Sequence, residues 1–127
     1  MERAREWSHE VRLAADPTSA AVAREFTRRH LVEHGLPHLV DDVRLVASEL
    51  ATNAITHART AFVVALARLD GLVVLTVRDG AEDLPALTPT AVTDLDGRGL
   101  MLVELLSRAW GVEACGPTKT VWASFQA

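Results

Sequence analysis

Glu49 and Asn53 stand four residues apart in the run Leu39 to Ala58. The apolar residues of that run, Val43, Ala47, Leu50, Ala54 and Ala58, recur at three- and four-residue spacing and predict a helix. The spacing places a carboxylate and an amide on one edge of that helix, beside its apolar stripe. Asparagine is a poor residue for a helix interior, because its side chain competes for backbone hydrogen bonds. A carboxylate with an amide oxygen is a hard-ligand pair suited to Mg²⁺, which takes few protein oxygens and completes its shell with water and substrate phosphates. The same pair also reads as an exposed helix edge carrying two ordinary polar residues. A second candidate is Asp79, in Val77-Arg78-Asp79-Gly80 at the end of an apolar run. A strand-terminal carboxylate accepts hydrogen bonds from an exocyclic amine such as that of adenine; Asp-Gly is equally a favoured turn pair.

Gly97-Arg98-Gly99-Leu100 opens a further apolar segment. Two glycines before a helix let backbone N–H groups approach an anion at the helix N-terminus. The third glycine of a dinucleotide fingerprint is missing and no strand precedes, so a Rossmann site is not expected, and Lys119-Thr120 lacks the glycine loop of a Walker motif. His30-Leu31-Val32-Glu33-His34 matches an inverted zinc-protease pattern, with His38 nearby. No third-ligand motif supports it, so two surface histidines near a helix C-terminus, where their cationic forms are favoured, are expected instead.

These residues need elements to hold them. Trp7 to Ala14 alternates and ends at Asp16-Pro17, predicting a short edge strand. Thr18 or Ser19 can cap a helix over Ala20 to His34, which Gly35 and Pro37 end. Phe62 to Leu69 and Leu72 to Arg78 are β-rich runs joined by Asp70-Gly71, a strong hairpin signal. Ala81 to Asp96 has no clear period and reads as a long loop. Gly99 to Trp110 looks helical, and Val112 to Cys115 and Lys119 to Phe125 look like two final strands around Gly116-Pro117-Thr118. The order β-α-α-β-β-loop-α-β-β predicts an α+β fold: a two-layer α/β sandwich with a mixed, mostly antiparallel sheet and helices on one face.

The 127 residues fit one domain, 1–127, and suffice to bury a core without staples. The single cysteine, Cys115, excludes an internal disulfide framework. The net charge of −4 argues against direct nucleic-acid binding. That charge is uneven: Asp79 to Asp96 carries five acids and no bases, leaving the rest near neutral. The charged start, with no apolar region after it, and the absence of an apolar run of spanning length predict a cytoplasmic protein with no membrane partner.

Together, the order and spacing of these motifs are specific. Glu49-Leu50-Ala51-Thr52-Asn53-Ala54-Ile55-Thr56-His57-Ala58 resembles the N-box of the GHKL ATPase superfamily. Val77-Arg78-Asp79 resembles the strand entering its first glycine box, Gly97 to Val103 the second glycine box, and Lys119-Thr120-Val121-Trp122-Ala123 the last box and final strand. The chain is most similar to the compact branch of anti-sigma-factor serine/threonine kinases and small actinobacterial ATP-binding regulators, over roughly Trp7 to Phe125.

The resemblance implies a Bergerat-type fold, with ATP between helix and a lid at about residues 80–98. It implies that Asn53 coordinates the Mg²⁺ bridging the phosphates, that Glu49 is the general base, and that Asp79 binds the adenine amino group. Gly97, Gly99 and Leu100 would wrap the phosphates with lid backbone and helix N-terminus, and Thr120 would sit near the adenine end. Arg98 is added here as a phosphate partner; a structural salt bridge to the acidic loop is the other reading. His57 is expected to be a packing residue. The implied activity is that of a Mg-ATP-dependent protein serine/threonine kinase acting on an anti-anti-sigma (STAS) partner; some members also sequester a sigma factor. The N-box helix could support a homodimer, as in related kinases. The sequence departs from the family in its first glycine box, normally Asp-x-Gly-x-Gly but here Asp79-Gly80-Ala81-Glu82-Asp83, and at Thr118, where a glycine-like turn residue is common. The alternative is a non-catalytic module that binds a sigma factor or STAS protein and uses nucleotide weakly.

Overall fold

The computed structural model describes residues 6–80 and 97–127; within these, the side chains of 97–100 and 115 are not described. The lid expected at about 80–98 therefore lies almost wholly outside the described residues. The elements are β1 (Trp7–Leu13), α1 (Ser19–Glu33), a 3₁₀ turn (Pro37–Leu39), α2 (Val40–Asn53), a π-helical turn (Ala54–Ala58), β2 (Phe62–Leu69), β3 (Leu72–Asp79), α3 (Gly97–Leu106), β4 (Ala109–Cys115) and β5 (Thr118–Gln126). The five strands form one sheet in the order β1-β2-β3-β5-β4. Every neighbouring pair is antiparallel, so the sheet is more uniform than the mixed one expected. With helices packed against it, this is the expected α+β sandwich.

Period-two alternation assigns the faces. Phe62, Val64 and Leu66 of β2, Val73, Leu75 and Val77 of β3, and Val121, Ala123 and Phe125 of β5 are buried. They meet Ala23 and Leu31 of α1 and Val43, Val46, Ala47, Leu50 and Ala51 of α2 in one core. α1 presents a narrow stripe, Ser19, Ala23, Thr27 and Leu31, at strict four-residue spacing. The buried Thr27 hydroxyl donates to the Arg24 carbonyl (2.9 Å), so it enters the core satisfied.

Local signals explain the joints. Asp70 and Gly71 both have positive φ (49° and 80°), as a two-residue type I′ hairpin requires, and pairing runs down to Leu69 opposite Leu72. Gly35, at φ 73°, ends α1. Neither Thr18 nor Ser19 caps α1 with its side chain. Instead Asp16 accepts hydrogen bonds from the Thr18 amide and hydroxyl (2.9 and 2.8 Å), and the Ser19 hydroxyl donates to the Ala14 carbonyl.

Two expected boundaries change. The helix expected over Leu39 to Ala58 begins with a 3₁₀ turn led by Pro37 and loosens after Asn53 into the π turn. There the Arg59 amide donates to the Ala54 carbonyl (3.1 Å), and Arg59, at φ 59°, turns the chain into β2. The helix expected to reach Trp110 ends at Leu106, and Ala109 and Trp110 already pair with Ser124 and Ala123. On the outer face the Trp122 indole lies over Gly111, its cross-strand partner: a Cβ at that glycine would stand 2.8 Å from the ring.

Candidate functional site

Connectivity gathers the sequence motifs at one end of the sheet. α2 ends at Asn53, and the short connection that follows delivers the chain to Phe62, which pairs with Asp79. Asp79 in turn pairs with Lys119. The C-terminal end of α2, the last residue of β3 and the start of β5 therefore share one edge of the sandwich. α3 ends at Leu106 just before β4 begins at Ala109, and Ala109 pairs with Ser124 toward the far end of β5. The backbone of Gly97 to Leu100 forms the first turn of α3, where its free amides carry partial positive charge. The side chain of Arg98 lies outside the described residues.

Asn53 is buried (7 % exposed), and Glu49, one turn earlier, is half-buried. The helix edge expected to be plainly exposed is thus drawn inward where it carries these two polar groups. The π turn follows Asn53 directly; such turns are frequent at functional sites. His57, in that turn, is exposed, which corrects its expected packing role. The widened turn rotates it away from the stripe that Val43, Ala47 and Leu50 define.

Asp79 is 3 % exposed and Lys119 is 5 % exposed, their Nζ and Oδ2 atoms 3.9 Å apart. Burial pushes the Asp79 carboxyl above the usual carboxylate range, and the Lys119 ammonium opposes that. Asp79 Oδ1 is buried with no hydrogen-bond partner among the described residues, and so is Thr60 Oγ1, which lies beside Gly80. A buried carboxylate oxygen without a partner is costly, and an amine-bearing ligand would satisfy it.

Thr120 is not brought together with Asp79. It pairs with Arg78 on one side and Glu113 on the other, so it stands on the outer face of the sheet, while Lys119 faces the helices with Val121, Ala123 and Phe125. Lys119 is the residue that sequence reasoning missed as a site member. The signal was present: it is the only lysine in the chain, and it falls in phase with the apolar side of β5.

The His-x-x-Glu-His segment sets its two histidines, both half-buried, against β1. His30 Nδ1 pairs with Glu33 (2.9 Å), His30 stacks on His9, and His34 stacks on Trp7. His34 Nε2 faces His9 Nε2 at 2.9 Å. Burial, followed by the influence of His9, lowers the pKa of both His30 and His34, so the neutral forms are favoured, opposite to the expectation from the helix terminus. Among the described residues no three metal-ligating groups converge. A groove of about 400 Å³ lined by Val11, Val22, Phe26, Arg29 and His30 lies between α1 and the edge strand β1, and includes none of Glu49, Asn53, Asp79 and Lys119. Among the described residues no helix is long and apolar enough to cross a membrane.

A hard-oxygen amide, a carboxylate and a buried acceptor with no partner among the described residues have the chemistry to meet a purine nucleotide and a divalent cation. Comparison with solved structures finds a crystal structure of the RsbU and RsbW domains of Rv1364c from Mycobacterium tuberculosis, at TM-score 0.73 and 23 % identity. The match covers 94 % of this chain and 32 % of that chain, so the present chain spans about a third of its length. No curated protein matches. A family model of the histidine kinase-like ATPase domain matches residues 13–125. The chain belongs to the histidine kinase-like ATPase family.

Proposed function

We propose that this chain is a Mg-ATP-binding regulatory protein of the anti-sigma type that phosphorylates a serine or threonine on a STAS-domain partner. The observation that carries the nucleotide part is the buried Asp79 Oδ1, which has no hydrogen-bond partner among the described residues, at the same end of the sheet as Asn53 and Glu49. Likeness to a structure that contains an RsbW domain, and membership of the ATPase family, support the regulatory part.

The residues divide the work. Asp79 Oδ1 accepts from the purine amine, which selects adenine. Asn53 offers its amide oxygen to Mg²⁺, and the first turn of α3 turns its amides toward phosphate. Mg²⁺ held there would supply positive charge that offsets the charge of the phosphates. Glu49 takes the proton of the attacking hydroxyl as the new P–O bond forms and the bond to the β-phosphate oxygen breaks, releasing ADP. The half-buried position of Glu49 leaves it accessible to an incoming side chain.

The test is transfer from γ-labelled ATP to a purified STAS-domain protein that binds this chain. Glu49→Gln is expected to slow transfer by about 10²- to 10⁴-fold while ATP still binds. Transfer at wild-type rate in that variant removes Glu49 from its role. The second reading, a module that binds its partner without phosphorylating it, is favoured by the loss of both later glycines in Asp79-Gly80-Ala81-Glu82-Asp83. It predicts no transfer and a partner complex unaltered in Glu49→Ala.

A further inference from the structure

We propose that Lys119 is a positioning residue that holds Asp79 as a carboxylate and so makes the site accept a purine with an exocyclic amine and reject one with a carbonyl there. This rests on the nucleotide reading above. A carboxyl group is read by whatever proton it carries. As a carboxylate it only accepts, and an adenine amine fits it; as a neutral acid it donates, and the carbonyl of hypoxanthine or guanine fits it better. Which form stands in the site is therefore a choice of substrate.

Among the described residues, the surroundings of Asp79 leave that choice to one. From β2 the residue opposite is Phe62, which is apolar. From β5 it is Lys119, with its ammonium 3.9 Å from Oδ2. α2, packed over the sheet, brings the uncharged Asn53 to this end, with the half-buried Glu49 one turn back, and the neutral Thr60 hydroxyl lies beside Gly80. Arg78, next along β3, is exposed on the opposite face. Among the described residues Lys119 is thus the cation that faces the carboxyl, and burial works against it. The geometry also separates the two oxygens: Oδ2 is turned to the lysine, while Oδ1 has no partner among the described residues.

Binding of ATP and of ITP, which carries a carbonyl in place of the amine, is measured by titration calorimetry from about pH 6 to pH 9 in wild type, Lys119→Met, Lys119→Arg and Asp79→Asn. In Lys119→Met the carboxyl takes up a proton, and ATP is expected to bind about ten- to a hundredfold more weakly at neutral pH, the value of a charge-assisted hydrogen bond. The loss should shrink as pH rises and the carboxyl ionises, and the preference for ATP over ITP should fall in step. Lys119→Arg should restore both. Wild type carries the same test without substitution, since acidification should erode its preference for ATP. An equal loss at every pH with the ATP/ITP ratio unchanged, or no loss in Lys119→Met, overturns the inference while leaving the nucleotide reading standing. A wild-type protein that binds neither nucleotide overturns that reading, and the inference falls with it.

Discussion

Removing the two members of the Asp79–Lys119 pair separately and together should give three different losses of stability in the ligand-free protein. At 3.9 Å, and with an effective dielectric constant of about 20, the attraction is ~4 kcal/mol before desolvation is subtracted. Asp79→Asn leaves the ammonium of a 5 %-exposed lysine without its counter-charge and should destabilise by about 3–5 kcal/mol. Lys119→Met keeps the stem volume and leaves a carboxyl that escapes by taking up a proton, so its loss at neutral pH should be smaller, about 1–3 kcal/mol. The double variant removes both buried charges and should recover at least ~2 kcal/mol relative to the sum of the single losses. The pH dependence has a definite sign. Asp79 has a native pKa raised above its unfolded value, so its contribution is present at low pH and is lost as pH rises through the native pKa. Without Lys119 that loss extends to higher pH, so the gap between wild type and Lys119→Met should widen as pH rises through the acid-to-neutral range. Urea denaturation across this range measures all four proteins. Additive single losses, or a gap that does not change with pH, would refute the reasoning.

Other expectations follow from the same geometry. Gly111→Ala places a methyl group 2.8 Å from the Trp122 ring and should destabilise by about 1–3 kcal/mol; adding Trp122→Val should relieve that strain, and denaturation curves that show no relief would contradict the packing. The facing Nε2 atoms of His9 and His34 form a hydrogen bond only while one of them lacks a proton. With native pKa values lowered, His30 and His34 bind fewer protons folded than unfolded, so stability should fall as pH drops below about 6.5. Melting curves between about pH 7.5 and pH 5 should show a shallower acid slope in His34→Asn than in wild type; identical slopes would rule this out.

Much of this architecture is legible in the sequence because local chemistry and tertiary packing agree. Asp70-Gly71 demanded a tight hairpin, and Leu69 and Leu72 pair across it. What was harder to read depends on partners distant in the chain. His30 and His34 read as surface residues because the rings stacked on them, His9 and Trp7, come from a different element. The end of α3 was missed because Trp110, apolar and in phase with the helix, is claimed instead by pairing with Ala123. Thr120 and Lys119 differ by one step along a strand, and one step reverses the face. The motif located the segment, while the pairing of Asp79 with Lys119 decided which side chain meets the carboxylate. Glu49 and Asn53 needed no such partner, since four-residue spacing on a helix already sets them on one edge.

The central claim, that the end of the sheet holding Asn53 and Asp79 is a Mg-ATP site, is tested most directly by calorimetric titration with ATP in the presence and absence of Mg²⁺. The account predicts saturable binding to the wild-type protein that strengthens with Mg²⁺, loss of the Mg²⁺ enhancement in Asn53→Ala, and loss of binding in Asp79→Asn with the fold retained. Binding that is absent from the wild type, or Mg-ATP binding that Asn53→Ala leaves unchanged, would contradict it.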